Sequence, residues 1–395
     1  MGNSYMRPVW VEINLDHLAF NLAQIRKVIG PTVKLMAVVK GDGYGTGICG
    51  IVDTMLASGI DMLGVGILDE ALLLRKLGVK IPVLVFGYTP FQYAEILVKN
   101  KIRQTVYCYE QAVALSMAAE KLSCKAVIHL EIDTGMGRLG FRPQESALQE
   151  IKKISALPGL DVEGIYTHCP YTNERDGAGK QFTQRQYQLF CNFINQLASA
   201  GIDIPLKHAC NSLGIVHYPS MHLDMVRAGI ILYGSYPRFQ ETLPVKPVLT
   251  LKTRIGSIKK LPAGENVSYG HTFTTKRPTW VATLPVGYGD GYSRMLTNKG
   301  YVLIHGQRVP LIGTICMDQC MADITDLARP CQIGEEVVLI GQQGKEEITV
   351  EELSQKACDF INYEYLVQIG HRVPRLYLQG GKIASSKNYF LESIP

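Results

Sequence analysis

From about residue 33 to residue 230 the chain alternates short apolar, β-rich runs with longer amphipathic stretches, the pattern that repeated β/α units with a parallel sheet produce. Eight runs stand out: Val33–Lys40, Met62–Ile67, Val83–Gly87, Gln104–Cys108, Ala126–Ile132, Val162–His168, Pro205–Asn211 and Met225–Ile230. Eight strands in this rhythm predict an α/β fold of the closed (β/α)8 TIM type rather than a doubly wound sheet. One of the intervening stretches, Asp69–Leu77 (DEALLLRKL), gathers leucines on one face, begins with acidic side chains and stops at Gly78. Those are the dipole and C-cap preferences of a crossover helix.

After Tyr233 the texture changes. Pro244, Pro247, Pro262 and Pro278 punctuate β-branched runs at Val248–Ile255, Thr279–Leu284, Tyr301–Ile304 and Glu336–Ile340. They predict a C-terminal, mainly β domain, which the early run Val9–Ile13 would join as a strand. The expected division is therefore residues 1–12 as an N-terminal strand of the β domain, 13–240 as the barrel and 241–395 as the β domain. A 395-residue chain has room for one barrel of about 250 residues and one smaller domain.

Composition narrows the class. Hydrophobic residues at 47% and charged residues at 19% fit a folded chain with a large core rather than a disordered one. The net charge of +5 comes without a Lys/Arg block, which argues against a nucleic-acid or membrane surface. The ten cysteines are scattered without a CxxC pair, so they read as reduced thiols. Cys316 and Cys320, four apart in an apolar run, are a weak basis for a metal site, and none is expected. Met1–Trp10 lacks the apolar stretch of a secretory signal, and no window approaches the roughly 20 apolar residues of a membrane span. The expectation is a cytoplasmic protein, although a piece cut from an anchored chain would read the same.

Barrel active sites lie at the C-terminal ends of the strands, so the reactive side chains there are the candidates. The first run ends in Lys40, followed by Gly41, Asp42, Gly43, Tyr44 and Gly45. The fifth leads to Arg138 in DTGMGRLG, the sixth ends in His168, the seventh in Asn211 and Ser212, and the eighth carries Arg227 and Gly229. A lysine closing a buried strand is costly unless neutral, paired or covalently modified, and Schiff-base chemistry uses such an amine. A solvated lysine at a strand end is the plainer alternative. The glycines permit close backbone approach to a ligand and Tyr44 offers a hydroxyl to a phosphate. Asn211, Ser212 and Gly229 serve equally well as phosphate donors or as ordinary capping residues. His168 by itself would read as a satisfied core histidine.

At these residues the sequence resembles the alanine racemase family over nearly its whole length. The segments VVKGDGYG, DTGMGRLGF, NSLG, MVRAGIILYG, VSYGHTF, VGYGDGY, GTICMDQCM and RVPRLY occur in family order with family-like spacing. The resemblance implies a pyridoxal 5'-phosphate enzyme that interconverts L- and D-alanine, with Lys40 holding the cofactor and serving as one of two bases. The other base would be Tyr269, supplied by the second subunit of a homodimer. Tyr44, Ser212, Gly229, Ile230 and Tyr377 would hold the phosphate, with Asn211 beside them. Arg227 would face the pyridine nitrogen and Arg138 the phenolic oxygen and the substrate carboxylate. Met317, next to Asp318, would reach that carboxylate across the interface, and His168 with Arg227 would form a polar chain tuning Tyr269.

An arginine at the nitrogen stays protonated and donates a hydrogen bond without transferring a proton, leaving a weaker electron sink than an acidic partner would. That suits proton removal and return better than transamination or decarboxylation. Three departures touch the site. The usual KADAYGHG reads KGDGYGTG, with Thr46 in the histidine position. Glu131 stands where many members carry a lysine, often carbamylated, and is expected to orient Arg138 by a charge-assisted hydrogen bond. The usual THFATADE reads THCPYTNERD. Serine or broader racemases, a decarboxylase on a similar barrel and a catalytically silent cofactor binder are the competing readings.

Overall fold

In a computed structural model, described here for residues 7–172, 177–236, 243–357 and 361–391, the eight expected barrel strands are all present. They are β2 (Lys34–Val38), β3 (Met62–Val65), β4 (Val83–Val85), β5 (Arg103–Val106), β6 (Ala126–Glu131), β7 (Leu160–Tyr166), β8 (Leu206–His208) and β9 (Met225–Ala228), after β1 (Val9–Asn14). β2 to β9 pair in parallel in the order β8-β7-β6-β5-β4-β3-β2-β9. The seam between β8 and β9 is closed by Asp224 N–H donating to Lys207 O at 3.1 Å and Arg227 N–H to Cys210 O at 3.0 Å. Most strands stop about two residues before the apolar run does. The last residues of each run leave the ladder and turn outward at the mouth, which is where a barrel builds its site.

The remaining strands are β10 (Leu249–Arg254), β11 (Ser257–Leu261), β12 (Thr279–Leu284), β13 (Tyr301–Ile304), β14 (Gln307–Ile312), β15 (Cys320–Asp323), β16 (Glu336–Gln343), β17 (Glu346–Ile348), β18 (Arg375–Gln379) and β19 (Lys382–Lys387). They form one sheet in the order β11-β12-β15-β14-β13-β16-β10-β1-β18-β19, with β17 on β16. β1 is antiparallel to β10 and parallel to β18, so the N-terminal strand belongs to this sheet. From it the chain enters the first helix, Leu15–Ile29, capped by Asn14 Oδ1 accepting from His17 N–H at 2.9 Å. The expected junction at 240/241 and the first six residues lie outside the described residues, as do the last four residues of THCPYTNERD and Cys358. Among the described residues no disulfide joins the nine cysteines. Among the described residues no helix is long and apolar enough to cross a membrane.

Two helices, Val350–Lys356 and Asn362–Gln368, interrupt the β domain and pack toward the barrel mouth. Thr349 caps the first by accepting from Glu352 N–H at 3.1 Å, a Thr-x-x-Glu signal present in the sequence. Barrel and sheet are fastened by Arg375, which is 1% exposed and therefore must satisfy every N–H. Nε and Nη2 donate to Gly45 O, Nη1 to Gly370 O and Val373 O, and Nη2 also to Ile369 O, at 2.6–3.2 Å. Replacing Arg375 by Met should strand these carbonyls and cost about 3–5 kcal/mol. Urea unfolding measures the loss, and a change below about 1 kcal/mol would refute this role.

Candidate active site

Immediately after β2 the backbone makes an unusual turn. Gly41, Asp42, Gly43, Tyr44 and Gly45 all have φ between 52° and 82°, a left-handed run that costs an L-residue about 1–2 kcal/mol per position. Glycine at 41 and 43 removes that cost, so this departure from the family's alanines matches the conformation. Asp42 tolerates it through three bonds: its N–H donates to Glu70 Oε1 at 3.0 Å, Oδ1 accepts from Ile48 N–H at 2.9 Å, and Oδ2 accepts from the Tyr389 hydroxyl. Thr46 Oγ1 donates to Gly43 O at 2.5 Å, closing the turn from the position where histidine is usual. The turn delivers Lys40 and Tyr44 to the barrel mouth.

There they line a cavity of about 890 Å³ together with Arg138, His168, Asn211, Ser212, Arg227, Gly229 and Ile230. Thus nine of the sequence candidates converge. Lys40 is reached by solvent through the mouth yet ringed by protein. Burial, then the Arg138 charge, lowers its pKa, with Glu70 opposing. At one end of the cavity Ser212 Oγ accepts from Gly229 N–H at 2.9 Å. A β-carbon on Gly229 would stand 2.8 Å from the Tyr44 hydroxyl and 3.5 Å from Ser212 Oγ. That small hollow walled by hydroxyls and a backbone turn is a cradle for a compact anion. Asn211 spends its side chain on the frame, accepting from Gly214 N–H and the Thr172 hydroxyl and donating to Cys169 O, each at 3.0 Å.

Arg227 is 4% exposed, and burial lowers its pKa from the ordinary value while a guanidinium still stays charged near neutrality. Nη1 donates to His208 Nδ1 at 2.9 Å and His208 O at 3.2 Å, and Nη2 to Thr167 O at 2.9 Å and Ala209 O at 3.2 Å. Its Nη2 also lies 3.4 Å from His168 Nδ1. The Nε–H alone finds no acceptor among the described residues, and it is left for the cavity. Tyr166 lies under the guanidinium, 5.0 Å from ring centre to Cζ, and stacks on His208 at 4.8 Å.

Two expectations need correction. Tyr377 is buried outside the cavity, its hydroxyl donating to Thr46 O at 3.0 Å. The C-terminal tyrosine that lines the cavity is Tyr363, 6.2 Å from the Tyr44 ring centre. Tyr377 is the strand residue whose ring packs under Gly47 and Gly50, so it supports the turn from behind. Glu131 makes its side-chain bond not with Arg138 but with Tyr166, whose hydroxyl donates to Oε2 at 3.0 Å. Burial raises the Glu131 pKa, while Tyr166 and, at longer range, Arg138 oppose it. Sequence reading missed Tyr363, Tyr166 and His208. Tyr363 follows the Thr349 capping signal by one helix, whereas nothing local marks the other two.

Tyr269, Met317 and Asp318 lie apart from this cavity on the β domain. Tyr269 is 72% and Met317 52% exposed, but their backbones are fixed. Thr314 Oγ1 donates to Tyr269 O at 2.8 Å and Ser268 Oγ to Thr314 O at 2.6 Å. Ser268 and His271, with φ of 67° and 48°, carry left-handed strain on either side of Tyr269. Gly289 N–H donates to Met317 O at 2.9 Å, and Asp318 pairs with Arg372 at 2.5 Å.

The alanine racemase N-terminal domain profile matches residues 13–237 and the C-terminal domain profile residues 248–377. The chain belongs to the alanine racemase family. It is 45% identical over 387 residues to an alanine racemase of Clostridium perfringens, covering 97% of this chain and 99% of that one. Among solved structures, an alanine racemase of Clostridium difficile 630 superposes with a TM-score of 0.92 at 38% identity, covering 98% of this chain and all of that one. An alanine racemase from Bartonella henselae with covalently bound pyridoxal phosphate superposes with a TM-score of 0.83 at 26% identity, covering 94% and 99%. The cavity fits that group: an amine of lowered pKa, a free guanidinium N–H and the Gly229 hollow for a phosphate lie in one space.

Burial holds His168 at about 3 and His208 well below its ordinary value, and lowers His129 as well. An unfolded histidine titrates near 6.5, so below that pH the unfolded chain binds protons that the native state refuses, and stability falls as pH drops. His168 should contribute a loss of about 1 kcal/mol by pH 5.5, and His208 and His129 add to it in the same direction. Urea unfolding at pH 7.5 and 5.5 measures it, and equal stability at both would contradict neutral burial.

Proposed function

We propose that the chain interconverts L- and D-alanine with pyridoxal 5'-phosphate as a homodimer, each cavity completed by Tyr269 and Met317 of the partner subunit. The observation that carries this reading is the separation within one chain: Lys40 lines the cavity, while Tyr269 is held rigidly on an exposed face elsewhere. Moving a proton from one face of a carbon to the other takes a base on each face. Lys40 in one chain's cavity would supply the first.

Lys40 would hold the cofactor covalently, and Tyr44, Ser212, Gly229 and Ile230 its phosphate, with Tyr363 replacing Tyr377 beside Tyr44. Arg227 Nε–H would donate to the pyridine nitrogen. Bound pyridoxal phosphate supplies an electron sink for the charge left when the α-proton departs. Lys40 Nζ, made easier to deprotonate by burial and Arg138, takes or returns that proton on one face. The Tyr269 hydroxyl of the partner subunit does the reverse on the other, so the proton lost by one enantiomer is replaced and the net change is inversion. Arg138 and the Met317 backbone of the partner subunit would hold the carboxylate. A tyrosine needs nearby positive charge to act as a base near neutrality; the Arg227 guanidinium, relayed through neutral His168, would provide it.

The first test is a chiral assay of purified protein with the cofactor against L-Ala, L-Ser and L-Lys. D-alanine should form fastest. Faster D-serine or D-lysine would keep the chemistry and change the substrate, and amine with carbon dioxide would replace racemisation by decarboxylation. Lys40→Ala should lose the visible absorbance of the attached cofactor. Tyr269→Phe should keep it, lose about 10²-fold or more in racemisation, and still exchange the α-hydrogen of one enantiomer with D2O. Exchange of both at the normal rate would remove Tyr269 from the mechanism.

A further inference from the structure

Behind Arg227 a chain of buried polar side chains descends through the barrel. Arg227 Nη1 meets His208 Nδ1 at 2.9 Å, His208 Nε2 meets His129 Nδ1 at 3.0 Å, and His129 Nε2 meets Glu163 Oε2 at 3.0 Å. Glu163 is gripped by Arg103, Nε at 2.8 Å and Nη2 at 2.9 Å. These residues come from β9, β8, β6, β7 and β5 in turn. Arg103, the first residue of β5, stands toward the opposite end from the mouth and is partly exposed. Gly164 makes room for the arrangement, since a β-carbon there would lie 2.4 Å from His129 Nδ1.

The two ends determine every proton between them. A guanidinium only donates, so His208 Nδ1 must accept and its proton sits on Nε2. His208 Nε2–H then donates to His129 Nδ1, which places the His129 proton on Nε2, where it meets an acceptor. Burial keeps both imidazoles neutral. Burial pushes Glu163 up, but the bonds from Arg103 and His129 outweigh it and hold the carboxyl well below its usual range. All hydrogen bonds therefore point the same way, from Arg227 to Glu163.

The geometry points to Glu163 and His129 as positioning residues for Arg227, setting the direction of the hydrogen-bond chain that fixes the guanidinium at the cavity from the far side of the barrel. What Arg227 then does rests on the proposed reading that its Nε–H meets the cofactor's nitrogen, but the direction of the chain does not.

Glu163→Gln tests the idea because a glutamine side chain has both an acceptor and a donor end. The two Arg103 donors capture its oxygen, which turns its NH2 toward His129 Nε2. His129 must then carry its proton on Nδ1 and donate to His208 Nε2, and the His208 Nδ1–H confronts the Arg227 N–H. In protein without cofactor, selective 15N-histidine NMR should find the Nε2–H form at His129 and His208 in the parent and the Nδ1–H form at both in Glu163→Gln. The variant should also bind pyridoxal phosphate about tenfold more weakly, the loss of one charge-assisted bond, with Glu163→Asp restoring most of the affinity. Nδ1–H forms in the parent protein, or an affinity unchanged in a folded Glu163→Gln whose tautomers have switched, would overturn the proposal. Tautomers that switch as described while Arg227 proves unimportant for racemisation would fault the functional reading and leave this one standing.

Discussion

A buried guanidinium has five N–H groups and no means of leaving any of them unsatisfied cheaply. At Arg227 four of the five point into the protein, onto Thr167 O, Ala209 O, His208 O and His208 Nδ1. Those acceptors come from the residue after β7 and from the last residue of β8 and the one that follows it, so the cation knits three neighbouring strands at the mouth close to the seam. The fifth N–H is left for the cavity, and its aim is a consequence of how the other four are held. A lysine could satisfy neither the geometry nor the count. Because the group donates without giving up a proton, in the proposed reading the same constraint that organises the mouth would favour reversible proton transfer over chemistry that needs a stronger electron sink.

Arg375 repeats that logic on the far side of the left-handed turn after Lys40. Its N–H groups reach Gly45 O, Gly370 O, Val373 O and Ile369 O, so the end of the left-handed run after Lys40 is pinned to the β domain. The turn itself spends little conformational energy where glycine occupies it. Asp42 and Tyr44 carry the remaining strain; Asp42 is held by Glu70 and Tyr389, and Tyr44 packs 4.8 Å from the Tyr233 ring centre. The turn that follows Lys40 is therefore held by both domains, and domain packing bears directly on where that amine sits in the cavity.

The sequence made this barrel legible because strands such as β3 (MLGV) and β4 (VLV) are continuous apolar runs buried on both faces, a signal that survives without partners, and because the runs recur eight times. Lys40, Arg138, His168 and Arg227 were legible because strand ends in a barrel converge by topology. Strand ends themselves were overestimated by about two residues, since apolar character continues into the cavity wall after ladder pairing stops. The error at Tyr377 has a similar origin: on a strand, burial looks the same whether a tyrosine faces a ligand or the underside of a turn. His129, Glu163 and Arg103 were illegible for a different reason. They lie on three different strands, and nothing in spacing of 26 or more residues indicates that two histidines share one hydrogen bond or which nitrogen holds the proton. The Glu131 contact failed likewise, because Tyr166, 35 residues on, occupies the place expected for Arg138.

The exposed Tyr269 is the last element that these constraints explain. A tyrosine offered to a second copy must keep its position without help from its own barrel, and the backbone around it is built accordingly. Ser268 and His271 accept left-handed strain, and Thr314 ties both Ser268 and the Tyr269 carbonyl to the segment leading to Met317. Strain of that kind persists only where surrounding bonds over-determine it. Here the bonds link Tyr269 and Met317 to each other rather than to the cavity, so the two would enter a partner's mouth as one rigid unit. In the proposed dimer, holding Tyr269 on such a unit would make its alignment a property of the subunit interface. Loosening that interface would then cost catalysis before it cost the fold of either chain.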